Sequence, residues 1–280
     1  MTSSPTSPGS KAKAMRPMPE RMPHTETVAV VTGGAQGLGR AIALRLIADG
    51  CRRVVIAGRG QSAGVLAAQE LAASGAEVRF VQTDMGDPVQ AAAMIDAGVA
   101  AFGRVTALVN AAAASDRGSV LDTTPEAWDR LMAVNARGPF FALQRLSQRA
   151  VAAGHGATCV NILSMVVHCG QSFLAPYSAS KAALANVTKN AAQALRHNHI
   201  RVNGINCGWM DTPGEDQTQR QYHGAGDDWL IRAEAAQPFG MLVKPAHVAG
   251  LVSYLLGPVS GVMTGAIIDF DQNVAGAYPE

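Results

Sequence analysis

Three side chains in this sequence have the types and spacing for proton chemistry at a carbonyl group. Tyr177 and Lys181 lie at i and i+4 in Tyr177-Ser178-Ala179-Ser180-Lys181, so in a helix they share one face. Ser164 closes the run Asn161-Ile162-Leu163-Ser164. A serine at the carboxyl end of a strand points into the crevice where open α/β sheets bind their ligands. When a ketone takes up a hydride, its oxygen becomes an alkoxide and needs a proton at once, which a tyrosine hydroxyl can give. A free phenol, with a pKa of about 10, is too basic to cycle easily near neutrality. A nearby Lys⁺ and the positive charge of a nicotinamide would both favour phenolate and lower that value. Ser164 can hold the substrate oxygen by a hydrogen bond. Asn135, in Val134-Asn135-Ala136, falls inside a predicted helix, where a buried amide is costly unless a water or a backbone group satisfies it. A Tyr-x-x-x-Lys spacing alone also arises by chance, and a tyrosine at a helix start often only packs.

A second feature changes that balance. In Val30-Val31-Thr32-Gly33-Gly34-Ala35-Gln36-Gly37-Leu38-Gly39 a β-rich run ends and a helical pattern begins, with Gly33, Gly37 and Gly39 spaced as G-x-x-x-G-x-G. Gly33 lets the chain turn sharply, Gly37 removes a side chain where a pyrophosphate would approach, and Gly39 lets the helix pack against the strand. The free N–H groups of the helix start then favour an anion. A glycine-rich turn without a ligand is the plainer reading, but the strand–turn–helix context argues against it. A nucleoside-triphosphate P-loop requires Gly-Lys-Ser/Thr, whereas Arg40 and Ala41 follow Gly39 here.

The end of the second strand should set the cofactor. An acidic residue there would accept from a ribose 2′-OH, whereas an arginine would meet a 2′-phosphate. The chain reads Ala57-Gly58-Arg59-Gly60. Arg59 therefore favours NADP(H), with NAD(H) the alternative if Arg59 is simply a solvated surface side chain.

The elements that must position these groups alternate along the chain. Strands are predicted over Thr27–Val31, Val54–Ala57, Val78–Gln82, Ala107–Asn110, Thr158–Leu163, Arg201–Ile205 and Ala266–Phe270. Helices are predicted over Leu38–Ala48, Val65–Ala73, Val89–Phe102, Pro125–Ala152, Tyr177–His197 and Pro245–Leu256. Thr124 is the expected N-cap of the fourth of these helices, with Pro125 in its first turn. The polar stretch Trp209–Phe239 carries no clear period. Strands alternating with helices imply parallel pairing through right-handed crossovers. The expected fold is a single Rossmann-type α/β domain over residues 27–280: a doubly wound parallel sheet flanked by helices.

Composition narrows the rest. The chain has 280 residues, of which 48% are hydrophobic and only 5% aromatic, as suits a buried parallel sheet under helices rich in small residues. A net charge of +2 without a long basic run gives nucleic acid no footing. No apolar run is long enough to suggest a membrane span. Cys51, Cys159, Cys169 and Cys207 are scattered, without Cys-x-x-Cys or finger-like spacing. They read as reduced thiols of a cytoplasmic enzyme, and no metal site is expected. Residues 1–26, rich in Ser, Thr, Pro and Met, read as a disordered tail, or as a start assigned upstream of Met15 or Met22. The tail has no apolar centre of a secretory signal, and its prolines spoil the amphipathic helix of a transit peptide.

Together, the glycine turn, Asp84 after the third strand, Asn110-Ala111-Ala112-Ala113, Asn135, Ser164 and Tyr177-x-x-x-Lys181 resemble the short-chain dehydrogenase/reductase family over roughly residues 27–272. The resemblance implies that Asn135, Ser164, Tyr177 and Lys181 form a catalytic tetrad. Tyr177 would be the acid/base, Lys181 would also bind the nicotinamide ribose, and Asn135 would position a relay water. Cofactor contacts would come from Gly33, Gln36, Gly37, Leu38, Gly39 and Arg59. Asp84, with Met85 beside it, would meet the adenine, and the backbone of Asn110, Ala111 and Ala112 would border the cofactor. Gly208, Trp209, Met210 and Thr212 would close over the nicotinamide amide, with Thr212 the main contact. Two positions depart from the usual pattern: Ala113 stands where the family has Gly, and Cys207 precedes Gly208 where Pro-Gly is usual. Family members are usually homotetramers or homodimers, so an oligomer is expected.

The substrate pocket is expected around Ser164 and Tyr177, with Val166, His168, Gln171 and Trp209 as lining candidates. A packing role for His168 is as consistent with its surroundings in the sequence. The ending Thr264–Gln272 is similar to those of sugar and polyol dehydrogenases and of 3-oxoacyl reductases. The expected reaction is interconversion of a secondary alcohol, with a sugar or polyol favoured, and a ketone; a 3-oxoacyl thioester is the alternative substrate. Two readings of other classes compete: a nucleotide-binding sensor without catalysis, which would have no need of Ser164, Tyr177 and Lys181 together, and an epimerase or dehydratase that keeps its cofactor through turnover.

Overall fold

The computed structural model describes residues 23–277. Seven strands form one sheet in the order β3-β2-β1-β4-β5-β6-β7, with every neighbouring pair parallel. They are β1 Val28–Thr32, β2 Arg53–Gly58, β3 Glu77–Gln82, β4 Ala107–Asn110, β5 Ala157–Ser164, β6 Ile200–Cys207 and β7 Ile267–Phe270. The order reverses between β1 and β4, which opens the crevice at the carboxyl ends of the strands.

The sheet is buried on both faces, and β1 shows why the strand signals read as continuous apolar runs. All of its residues are buried. Ala29 and Val31 face the cluster under α1 (Gly37–Ala48), α2 (Gln61–Ala72) and α9 (Pro245–Leu256), whereas Val28 and Val30 face the cluster under α3 (Pro88–Phe102). Side chains alternate across a strand, so both parities must be apolar when both faces are covered.

The predicted helix over Pro125–Ala152 is interrupted. It runs as α4 Pro125–Met132, a wide π-type turn Ala133–Arg137, and α5 Gly138–Ala152. Proline at 139 has no N–H for the carbonyl of residue 135, and its ring crowds that carbonyl, so the ordinary i to i−4 ladder cannot pass. The chain answers with a five-residue bond from Gly138 N–H to Ala133 O. Asn135 sits at the centre of this turn. A Cβ at Gly138 would stand 2.1 Å from Met85 O, so the turn also needs glycine to close on the loop after β3.

The other element bounds hold to within a few residues. The helix bearing Tyr177 and Lys181 is α6 Ala175–Leu195; His197 falls in a short 3₁₀ turn after it. The unassigned stretch after Trp209 contains α7 Pro213–His223 and α8 Trp229–Ala235. Thr212 Oγ1 caps α7 by accepting from Glu215 N–H, a threonine N-cap followed by Pro213 that the sequence does carry. The tail reading for residues 1–22 lies outside the described residues. Of the residues just before 27, His24 is fully buried, its Nε2 lies 3.0 Å from Ser253 Oγ, and burial holds its pKa below the usual histidine value.

Candidate active site

Tyr177 lies in the first turn of α6 and Lys181 in the next, above the carboxyl ends of β5 and β6. Lys181 is buried, and its Nζ donates to Ile162 O of β5 at 2.8 Å. The same ammonium lies 5.7 Å from the Tyr177 ring centre. Ser164 ends β5 directly across from Cys207 of β6. Sequence spacing put Tyr177 and Lys181 on one face; the sheet brings Ser164 to them.

In the protein without cofactor, burial pushes the Tyr177 hydroxyl up to about 12, and the Ser164 hydroxyl opposes that rise without cancelling it. Burial also lowers Lys181 to about 8. The low-polarity site that surrounds both groups penalises charge on each, so a phenolate at Tyr177 has to be stabilised against burial. The nearby Cys207 thiol is pushed up to about 12 and stays neutral.

Asn135 is fully buried, and its amide is satisfied as the sequence required. Oδ1 accepts from Ala114 N–H at 2.8 Å, while Nδ2 donates to Ala114 O at 2.8 Å and to Ser180 Oγ at 3.0 Å. Ser180 Oγ in turn donates to Tyr177 O at 2.7 Å. Asn135 therefore joins the segment after β4 to the first turn of α6. Ser180 was quoted inside the motif but given no role by sequence reasoning; only its contacts reveal one.

The glycine turn has the shape the spacing implied. Gly33 and Gly37 have φ of +69° and +52°, in the left-handed region that glycine adopts without strain. A Cβ at Gly39 would lie 2.3 Å from Gly33 O. Gln36 is extended and offers no side-chain cap to α1, so the first N–H groups of that helix remain open toward the crevice. Leu38 is partly buried against the core. Thr32 Oγ1 accepts from the N–H groups of both Ala111 and Ala112 at 3.0 Å, which locks the loop after β4 beside the turn. This role of Thr32 was also missed from sequence. Asn110 Nδ2 donates to Asn161 Oδ1 at 2.8 Å, and the buried Asn110 Oδ1 has no partner among the described residues. Ala113 is exposed, so its methyl group costs no space where the related sequences have Gly.

The remaining candidates spread around this cleft. Arg59 is exposed beyond β2, with its carbonyl held by Gln82 Nε2. Asp84 is exposed and accepts from Gly86 N–H. The Met85 side chain is buried in the core, which leaves only its backbone to face a ligand. A Cβ at Gly208 would stand 2.1 Å from Asp271 Oδ1, so the Asp271 side chain would have to move aside. Met210 pairs with Val243, and Thr212 lies 3.8 Å from where a Gly37 Cβ would be. Thus the segment after β6 does reach the glycine turn. Trp209 donates to Glu215 Oε1 at 2.7 Å and stacks on Trp229 with centres 6.3 Å apart. Val166 lies beside Ser164, whose Oγ accepts its N–H. Gln171 is exposed. His168 Nε2 lies 2.8 Å from Asp269 Oδ1 and 3.1 Å from Asn206 Nδ2, so its ring is engaged by β6 and β7. Among the described residues, no cluster of three or more His, Cys, Asp or Glu side chains could hold a metal ion.

The open helix start, the two positive-φ glycines, the close approach at Gly39 and the unpartnered Asn110 oxygen form a cradle that fits a dinucleotide. Residues 27–223 match the sequence profile described as short chain dehydrogenase. The chain is 35% identical to an NADP-dependent (R)-specific alcohol dehydrogenase of Lentilactobacillus kefiri, over 85% of this chain and 92% of that protein. It is 34% identical to a cis-4-hydroxycyclohexanecarboxylate dehydrogenase of Sinomonas cyclohexanicum, over 88% and 95% respectively. A crystal structure of an actinorhodin polyketide ketoreductase variant with NADPH superposes with a TM-score of 0.82 at 29% identity, covering 90% of this chain and 98% of that one.

Proposed function

The chain belongs to the short-chain dehydrogenase/reductase family, and on that premise we propose that it interconverts a secondary alcohol and a ketone with NADP(H), using Tyr177 as the acid/base. It is an oxidoreductase of CH–OH groups that uses NAD(P). The observation that carries the residue assignment is the convergence of Ser164, Tyr177 and Lys181 in one cleft beside the glycine turn.

The bound nicotinamide supplies or accepts the hydride. The protein does the rest. Ser164 Oγ and Tyr177 Oη hold the substrate oxygen. In reduction, the Tyr177 hydroxyl donates its proton to that oxygen as negative charge develops there; in oxidation, the phenolate takes the proton back. Lys181, anchored on Ile162 O, keeps a positive charge under the phenolate and faces the ribose hydroxyls. Asn135 fixes the backbone of Ala114 and, through Ser180, the first turn of α6. The α1 N-terminus and the Gly33–Gly39 turn take the pyrophosphate. Asp84 and the Asn110–Ala112 backbone border the adenine side, and Thr212 the nicotinamide amide. Arg59 faces a 2′-phosphate, which selects NADP(H) over NAD(H).

A homotetramer or homodimer is supported by the apolar groove of about 650 Å³ between α5 and α6, where Phe140, Leu143, Val151, Val187 and Leu195 line one face. A second copy of the chain would cover it, which sedimentation velocity would reveal. Among the described residues no helix is long and apolar enough to cross a membrane. The unpaired thiols of Cys51, Cys159, Cys169 and Cys207 suit a reducing cytoplasm. The catalytic domain is taken to be the single unit 27–280.

The test is absorbance at 340 nm with either cofactor against simple alcohols, cyclic alcohols, sugars, polyols, keto esters and 3-oxoacyl thioesters. Turnover that vanishes in Tyr177→Phe supports the reading. Tight NADPH binding without turnover of any substrate would favour the sensor. Nucleotide retained through purification and turnover would favour the epimerase or dehydratase.

A further inference from the structure

One cation beside the cleft has no role in the chemistry above. Arg117 lies on the short segment Ala114–Gly118 that follows β4, and this segment is clamped at both ends. Asn135 holds Ala114 by its N–H and its carbonyl. Gly118 N–H donates to Phe173 O at 2.9 Å, and Ala175 N–H, at the start of α6, donates to Gly118 O at 3.0 Å. Arg117 is thus fixed between two elements that also fix Asn135 and Tyr177.

The guanidinium is walled by aromatic rings. Its centre lies 5.5 Å from the Phe173 ring centre and 5.8 Å from that of Tyr222 on α7. Nη1 donates to Ser115 O at 3.0 Å, and Nη2 lies 3.2 Å from His223 Nε2. His223 packs edge-on to Phe173 at 5.6 Å. Arg117 Nε also points at His223 Nε2, at 3.4 Å. Aromatic faces attract a guanidinium without using its N–H donors, so the second N–H on each of Nη1 and Nη2 remains for an anion.

No described carboxylate pairs with this arginine, because the acids around it are engaged elsewhere. Asp116 pairs with Arg130, and Asp122 accepts from Ser119. Glu215 accepts from Trp209 and Gln219, and Asp216 from Arg220 and Trp229. The positive charge of Arg117 favours the Tyr177 phenolate, against a larger opposing influence from Glu215. A rigidly mounted, half-buried cation within electrostatic reach of the acid/base, with donors to spare, is a receptor for negative charge on whatever Tyr177 protonates.

We propose that Arg117, flanked by Phe173 and Tyr222, recognises a carboxylate on the substrate, so that the enzyme prefers hydroxy acids and oxo acids to their neutral counterparts. The proposal rests on the alcohol/ketone reading above and adds a specificity-determining residue to it. The competing role for Arg117 is mechanical, bracing α7 over the cleft.

Matched acids and methyl esters separate the two. The probes are 4-oxopentanoate and 4-oxocyclohexanecarboxylate against their methyl esters, with NADPH, in wild type, Arg117→Met and Arg117→Lys. The expected wild-type kcat/KM favours at least one acid over its ester by roughly 10- to 100-fold, the range of one charged hydrogen-bonded contact. Arg117→Met abolishes that ratio, chiefly through the KM of the acid, and Arg117→Lys keeps part of it. Equal wild-type rates for acid and ester in both pairs overturn the proposal. So does an Arg117→Met variant that slows acid and ester alike, because a brace would act on both. Binding is read independently by quenching of tryptophan fluorescence with the same four compounds in the presence of NADPH. Acid-selective quenching that Arg117→Met removes, without turnover, would sink the oxidoreductase reading for these ketones and leave the anion site standing. Turnover of the esters by a Tyr177-dependent route with no acid preference would do the reverse.

Discussion

Asn135 and Ala114 are joined by a matched pair of hydrogen bonds: the amide oxygen accepts from Ala114 N–H and the amide nitrogen donates to Ala114 O, both at 2.8 Å. A side-chain amide here does what a neighbouring strand would do, and it does so from the one turn in the α4–α5 rod where Pro139 breaks the ladder. The pairing fixes the segment after β4 against the π-type turn. That segment bears Ala114 and Arg117, and Ser180 carries the same network to the backbone of Tyr177.

Asn135→Asp would keep the acceptor but set a carboxylate oxygen against Ala114 O. The two buried bonds given by Nδ2, to Ala114 O and Ser180 Oγ, are lost; with that repulsion the cost is about 2 to 4 kcal/mol, and kcat should fall by about 100-fold or more as Tyr177 loses its fixed position. Asn135→Leu loses all three bonds and leaves Ala114 N–H and O unpaired, and should be destabilised at least as much. Thermal melts and steady-state kinetics of the two variants check this; native activity in either would remove Asn135 from the site.

Tyr177→Phe removes the proton donor and little else, since the ring remains. Turnover should fall by about 10² to 10⁴ with the melting temperature unchanged within a degree or two. In the oxidation direction, wild-type kcat/KM should climb with pH across the neutral and alkaline range, because burial holds the hydroxyl protonated up to about 12 in the free enzyme. A flat profile would mean that proton removal by Tyr177 does not limit the reaction.

Lys181 makes stability depend on pH in a definite direction. Its folded pKa of about 8 lies below the ordinary 10.5, so between those values the unfolded chain binds more protons than the folded one, and stability rises with pH. The buried charge costs most below pH 8 and is relieved on the way to 10.5. In the cofactor-free protein this contributes about 3 kcal/mol. Lys181→Met should lack that rise, which urea unfolding at pH 7 and pH 10 for both proteins would measure. Tyr177 acts oppositely, but only above pH 10, where the unfolded chain ionises first.

Two glycines of the turn, Gly37 and Gly39, should behave differently. At Gly39 an added methyl would sit 2.3 Å from Gly33 O and 2.6 Å from Gly33 C, both backbone atoms that cannot step aside. Gly39→Ala should therefore lose NADPH binding and several degrees of melting temperature. At Gly37 the nearest atom is Thr212 Cβ at 3.8 Å, an ordinary contact, so Gly37→Ala costs the fold only the strain of positive φ, about 1 kcal/mol, and weakens NADPH by the methyl group it sets where the pyrophosphate would approach. Fluorescence titration with NADPH ranks the pair.

Arg59→Asp should reverse the cofactor preference. Replacing a 2′-phosphate partner with a 2′-OH acceptor weakens NADPH and favours NADH, by about 10-fold or more in the ratio of kcat/KM values. An unchanged ratio would return Arg59 to the status of a solvated surface side chain.

The sequence by itself determined the architecture and the chemistry. Apolar runs such as Val28–Val31 specify strands buried on both faces, because a parallel sheet leaves neither side to water. The spacing of Gly33, Gly37 and Gly39 specifies a turn that backbone sterics permit to few other residues. The i, i+4 placement of Tyr177 and Lys181 follows from helical geometry alone. Tertiary structure decided what depends on distance through space. The break at Asn135 needs Pro139 and the carbonyl of Met85 against Gly138. The shift of Tyr177 and Lys181 toward their neutral forms comes from how little water surrounds them, which no spacing encodes. His168 was turned to Asp269 of a strand that follows a hundred residues later, and Arg117 was brought to Phe173 and Tyr222 only when the segments after β4 and β5 met α7. Local periodicity is written residue by residue; the dielectric of a site and the partners of its side chains exist only after distant segments have packed.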